Sequence, residues 1–111
     1  MREFVVIVVK KTKRSEVDVL EKTVEEYLVK EVKKIGGIAY KFVSPGNAGV
    51  PDRIVIIPGG RVHFIEMKRP KGSVTKKRQK MQQDRIKAKG ANVRSAYTKE
   101  EVDAFIKEVS T

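Results

Sequence analysis

Asp52, Glu66 and Lys68 are the residue types that phosphodiester chemistry calls on. Two convergent carboxylates suit a hard cation such as Mg2+, which takes few protein oxygens and completes its shell with water and phosphate. Such a cation polarises a phosphoryl oxygen and lowers the pKa of water at the site, the two requirements of phosphodiester hydrolysis. A lysine beside the carboxylates adds a compact positive charge for the attacking water or the phosphate.

Whether these side chains meet is decided by the elements that carry them. Arg53 to Ile57 and Val62 to Met67 read as strands joined across Pro58-Gly59-Gly60, a hairpin signal. Alternation along the second strand puts Glu66 and Lys68 on one face and His63, Ile65 and Met67 on the other. A carboxylate and a lysine in an otherwise apolar strand are costly to bury without a purpose. Read alone, they fit equally a cross-strand ion pair at a sheet end. Asp52 joins the face of Glu66 if the hairpin sets it opposite Lys68. A two-residue Gly59-Gly60 turn would aim it the other way, so an odd-length loop or a bulge is expected. His63, the single histidine, points away from Glu66 and is expected to be structural.

The rest of the chain supplies a frame for the hairpin. Phe4 to Val9 is a β-branched run without alternation, a strand covered on both faces. From Val17 to Ile35 the apolar residues Val17, Leu20, Val24, Leu28, Val32 and Ile35 recur at helical spacing, and Gly36-Gly37 ends the helix. Ile38 to Val43 reads as a strand and Ser44 to Pro51 as a loop. Thr75 is placed to cap a helix running to about Lys89, with Gly90 at its end. Asn92 to Tyr97 is a further strand, and Thr98 with Glu101 forms a capping box for a last helix. The order β-α-β-β-β-α-β-α predicts an α/β fold, a mixed β-sheet flanked by helices. On the first helix Glu25 sits at the edge of the apolar stripe and Glu31 near its middle. Periodicity alone thus favours Glu31 as the buried acid, against an ion pair to Lys34 or Lys41.

The chain has 111 residues, the size of one domain, and residues 1–111 are expected to form one. Lys and Arg outnumber Asp and Glu by 25 to 14, a net charge of +11 that favours polyanions, nucleic acid first and an anionic membrane second. A role in solubility alone is the bland alternative. Between Lys68 and Lys89 the basic residues are dense. Lys71, Lys76, Lys77, Arg78 and Lys80 read as contacts to a phosphate backbone, although such a run is more often a solvated face. Gln79, on the face shared with Ile86, could reach the acidic site. The sparse aromatics are not interleaved with the basic residues, which argues against single-strand base stacking. With no cysteine, disulfides, thiolate zinc sites and cysteine nucleophiles are excluded. The Phe4 to Val9 run is too short to span a bilayer, so a cytoplasmic protein without membrane partners is expected.

Gly49-Val50-Pro51-Asp52-Arg53 followed by Glu66-Met67-Lys68 resembles the PD-(D/E)xK signature of the restriction-endonuclease-like superfamily. More closely, Gly36-Gly37, Lys41 to Asn47, Pro51-Asp52-Arg53, Phe64 to Lys68 and Gln79 resemble the VRR-NUC (virus-type replication-repair nuclease) family, from about Val24 to Val93. Residues 1–14 form an extension outside that match. The resemblance implies a restriction-endonuclease-like fold and an endonuclease dependent on Mg2+ or Mn2+, with the metal held by Asp52, Glu66 and the Met67 carbonyl. It implies Lys68 as the catalytic lysine, Glu25 rather than Glu31 as the helix acid, and Gln79 as the glutamine of the following helix. It also implies a homodimer acting on branched DNA, as Holliday-junction resolvases do, in a bacterial or phage-infected cell. The apolar run of the extension is expected at the dimer interface. The rival class is a non-catalytic nucleic-acid-binding module, which gains nothing from carboxylates in a basic groove. A basic structural protein of a ribonucleoprotein would explain the lysines but not the Pro-Asp…Glu-x-Lys order.

Overall fold

The computed structural model describes residues 14–69, 72 and 74–110. The expected first strand, Phe4 to Val9, lies outside them. The elements are α1 (Arg14–Lys34), β1 (Ile38–Lys41), β2 (Arg53–Ile57), β3 (Arg61–Glu66), α2 (Lys76–Ala88), β4 (Asn92–Ser95) and α3 (Lys99–Val109). Local chemistry fixes their ends. Gly36 takes a left-handed φ of +84° just past α1, a conformation that a side chain would strain. The Arg78 N–H donates to Thr75 Oγ1 (3.1 Å) at the start of α2. At α3 the capping box is complete: the Glu101 N–H donates to Thr98 Oγ1, and the Thr98 N–H donates back to Glu101 Oε1.

The four strands form one mixed sheet in the order β1-β2-β3-β4, antiparallel except for the parallel pair β3 and β4. This is the α/β architecture expected from the element order. One sheet face carries Val55, Ile57, Ile65 and Met67, and it packs on Leu28 and Val32 of α1 and on Val102, Phe105 and Val109 of α3. Those residues leave water almost entirely, and such burial contributes roughly 1.5–3 kcal/mol per large side chain. Leu20 departs from the expected stripe and is 46% exposed. It sits five residues, roughly 7.5 Å along the helix axis, before Glu25, the first buried side chain described on α1.

The hairpin departs from the expected register. Arg53 pairs with Ile65 and Ile57 with Arg61, leaving Pro58-Gly59-Gly60 as a three-residue loop. An odd loop was the requirement, and it keeps Asp52 on the face of Glu66. One step beyond the last pair, however, Asp52 falls opposite Glu66 rather than Lys68. The offset is two residues, which preserves the face because the side-chain period of a strand is two.

Candidate active site

β3 ends at Glu66, and the Asp52 segment lies beside that end. Asp52 Oδ1 accepts a hydrogen bond from the Met67 N–H (2.7 Å), so the backbone just past β3 fixes the carboxylate. Glu66 Oε2 accepts from Gln79 Nε2 of α2 (2.8 Å), which fixes the second carboxylate from the opposite side. Each acid therefore has one oxygen held and one left over. Asp52 Oδ2 and Glu66 Oε1 are buried with no hydrogen-bond partner among the described residues. Both acids line a shallow cavity of about 200 Å3 with Gly49, Val50, Lys68, Arg69, Val74 and Gln79.

The electrostatics follow from that burial. Desolvation, then the nearby Asp52 charge, raises the Glu66 pKa from its ordinary 4.5 to about 8, against the hydrogen bond from Gln79. Burial also raises Asp52, against the Met67 N–H bond, with the Glu25 charge adding to the rise and Lys68 opposing it. Two buried carboxylates without enough donors are unfavourable unless a proton or a cation joins them. A hard divalent cation fits the donors present: two carboxylate oxygens of the right chemistry, unspent, in one cavity wall. No group of three His, Cys, Asp or Glu side chains converges among the described residues. The site therefore suits an ion that keeps several waters, as Mg2+ does, rather than an all-protein cage.

Lys68 is half-exposed, and its Nζ lies 4.0 Å from Glu25 Oε1. Glu25 is 7% exposed, and its other oxygen accepts from Arg53 Nε at 2.9 Å. Glu25 thus stands behind Lys68 and does not line the cavity. Glu31, which periodicity favoured, pairs instead with Lys34 on its own helix (2.8 Å). The wheel misranked the two because Arg53, the buried partner of Glu25, comes from another element. Met67 turns its side chain into the core and its N–H to Asp52. His63 lies on the far face, its ring edge-on to Phe105 at 5.3 Å, and burial together with Arg94 and Arg61 lowers its pKa.

The basic residues separate into groups. Lys76, Lys77 and Lys80 are exposed on α2, with Lys80 paired to Asp84 (3.0 Å). Lys71 lies outside the described residues. Arg78 has a structural contact in addition to its charge. Its Nε donates to the Ala48 carbonyl (3.2 Å), which also accepts from Gln82 Nε2 (3.1 Å). Gln82 is buried, and sequence reasoning gave it no role. Its signal was the spacing of Gln79 and Gln82, two uncharged polar residues on one face of a helix of cations. Gly49, next to Ala48, has φ +91° and lies so close to α2 that a Cβ would meet Arg78 at 3.0 Å. Through these contacts α2 grips both the Glu66 carboxylate and the loop that leads into Asp52.

A mixed sheet that offers an Asp and a Glu-x-Lys at one end, backed by a helix acid and a helix glutamine, defines the restriction-endonuclease-like class. A solved structure described as a VRR_NUC domain superposes with a TM-score of 0.70 at 30% identity, covering 79% of this chain and 95% of that one. The chain belongs to the VRR-NUC family of nucleases. It is also 62% identical over 50 residues to "Putative nuclease p44" of Acyrthosiphon pisum secondary endosymbiont phage 1, a match to 45% of this chain. That match spans about half of the phage protein, 54% of its length. No family model matches the sequence. No helix among the described residues is long and apolar enough to cross a membrane.

Proposed function

We propose that the chain is a divalent-metal-dependent endonuclease that hydrolyses DNA phosphodiester bonds, working as a homodimer on branched, Holliday-junction-like DNA in the cytoplasm of a bacterial or phage-infected cell. The observation that carries the hydrolytic reading is the pair of unspent buried oxygens, Asp52 Oδ2 and Glu66 Oε1, in one cavity wall beside Lys68. The branched substrate and the dimer rest on likeness to the family.

Asp52 and Glu66 would hold Mg2+ or Mn2+, with the Met67 carbonyl as a further oxygen. When bound, the ion supplies Lewis-acid polarisation of the phosphoryl group and lowers the pKa of water at the site. Gln79 and the Met67 N–H fix the rotation of the two carboxylates, so no reorganisation is needed to receive it. The Lys68 ammonium donates hydrogen bonds to the attacking water or to a phosphate oxygen, and Glu25 holds it near the cavity. Lys71, Lys76, Lys77, Arg78 and Lys80 add positive charge along the backbone of the substrate.

Calorimetric titration of Mn2+ into the protein tests the metal reading directly. Wild type binds with measurable heat, and Asp52→Asn with Glu66→Gln abolishes that binding. Equal binding by wild type and the double variant would contradict it.

A further inference from the structure

Arg69 follows Lys68 and lines the same cavity as Asp52, Glu66 and Gln79. Its guanidinium carbon lies 5.1 Å from the centre of the Tyr97 ring. Tyr97 is half-buried between β4 and α3, and its N–H donates to Glu101 Oε1 (2.7 Å), so the capping box of α3 anchors it. A contact of that kind sets the cation against the ring and takes up no carbonyl or carboxylate acceptor. Arg53, Arg61, Arg78 and Arg94 each donate to a carbonyl or carboxylate of the protein. Arg69 makes no such bond to a described residue.

A planar donor edge, pre-ordered on an aromatic ring, matches two oxygens of a phosphate, which the point charge of Lys68 cannot do. A phosphate arriving at this cavity also meets the negative charge of Asp52 and Glu66, so a fixed cation on its wall has a clear use. We propose that Arg69 binds a backbone phosphate of the nucleic acid, at or next to the bond that is cleaved, and that Tyr97 is its positioning residue. The identity of the ligand rests on the nuclease reading above.

The test measures binding of a four-way DNA junction and a linear duplex in EDTA across a KCl series, and single-turnover cleavage of both in Mn2+. Arg69→Ala weakens binding about tenfold. It also makes the slope of log K against log salt shallower by about 0.9, the loss of one phosphate contact on duplex. Arg69→Lys regains the slope but only part of the affinity. Tyr97→Phe, which keeps the ring, binds like wild type. Tyr97→Leu weakens binding when Arg69 is present and adds nothing to Arg69→Ala. Unchanged affinity and slope in Arg69→Ala would overturn the proposal, even if wild type cleaves DNA. A changed slope in a protein that cleaves neither substrate would uphold the phosphate contact and contradict the junction-cleaving reading of the proposed function.

Discussion

At the scale of single residues, Glu66 governs the site. A carboxyl that folding raises from 4.5 to about 8 keeps its proton in the native state while the unfolded chain has lost it. Between those values the native state binds more protons at Glu66, so the contribution of this group to the stability of the metal-free protein falls as pH rises from about 4.5 to about 8. Glu66→Gln keeps the hydrogen-bonding shape without the titration. The difference in Tm between that variant and wild type, both metal-free, should therefore widen in favour of the variant from pH 5 to pH 8. His63 is present in both proteins, so its own acid-side effect cancels. A constant difference across that range would mean that the carboxyl is not raised. Glu66 and Lys68 were legible in the sequence because strand period and a hairpin suffice to place them. Glu25 was not legible from periodicity, because its burial depends on Arg53, 28 positions away in the chain.

At the scale of elements, α2 matters most. Its inward residues are glutamines, with Met81 39% exposed, so the helix is held by hydrogen bonds to the site more than by an apolar face. That explains its weak amphipathic pattern in the sequence. The clamp on the loop gives two expected outcomes. Gly49→Ala forces a side chain into a positive φ against Arg78 and should destabilise the fold by on the order of 1–3 kcal/mol, read by urea denaturation. Gln82→Leu, which leaves the Ala48 carbonyl with Arg78 alone, should cost about 1 kcal/mol and slow cleavage through a displaced Asp52. Wild-type stability in Gly49→Ala would show that the loop is not pressed against α2. Helix ends were legible because caps are local chemistry. The hairpin register was not, since a three-residue loop and a longer one place Asp52 on the same face and differ only in its partner.

At the scale of the whole molecule, the layout separates stability from chemistry. The apolar core lies between one sheet face and the helices α1 and α3, while the acids collect where β3 ends and α2 begins. An acidic couple, each with one buried oxygen that no described residue satisfies, inside a chain of net charge +11 makes sense if a cation and a polyanion meet there. The charge, the order of elements and the resemblance pointed to Glu25 and Gln79 at the acidic hairpin, but not to the hold of Gln82 and Arg78 on the loop before Asp52, because that hold is made by tertiary contacts. The most direct measurement incubates wild type and Lys68→Ala with four-way, flap and linear DNA in Mg2+, Mn2+ or EDTA. Wild type should cleave at least one of the three substrates with metal and none in EDTA, and Lys68→Ala should fall by about 10²–10⁴-fold while still binding DNA. Binding without metal-dependent cleavage of any substrate, or full activity in Lys68→Ala, would contradict the assignment of Asp52, Glu66 and Lys68 as an active site.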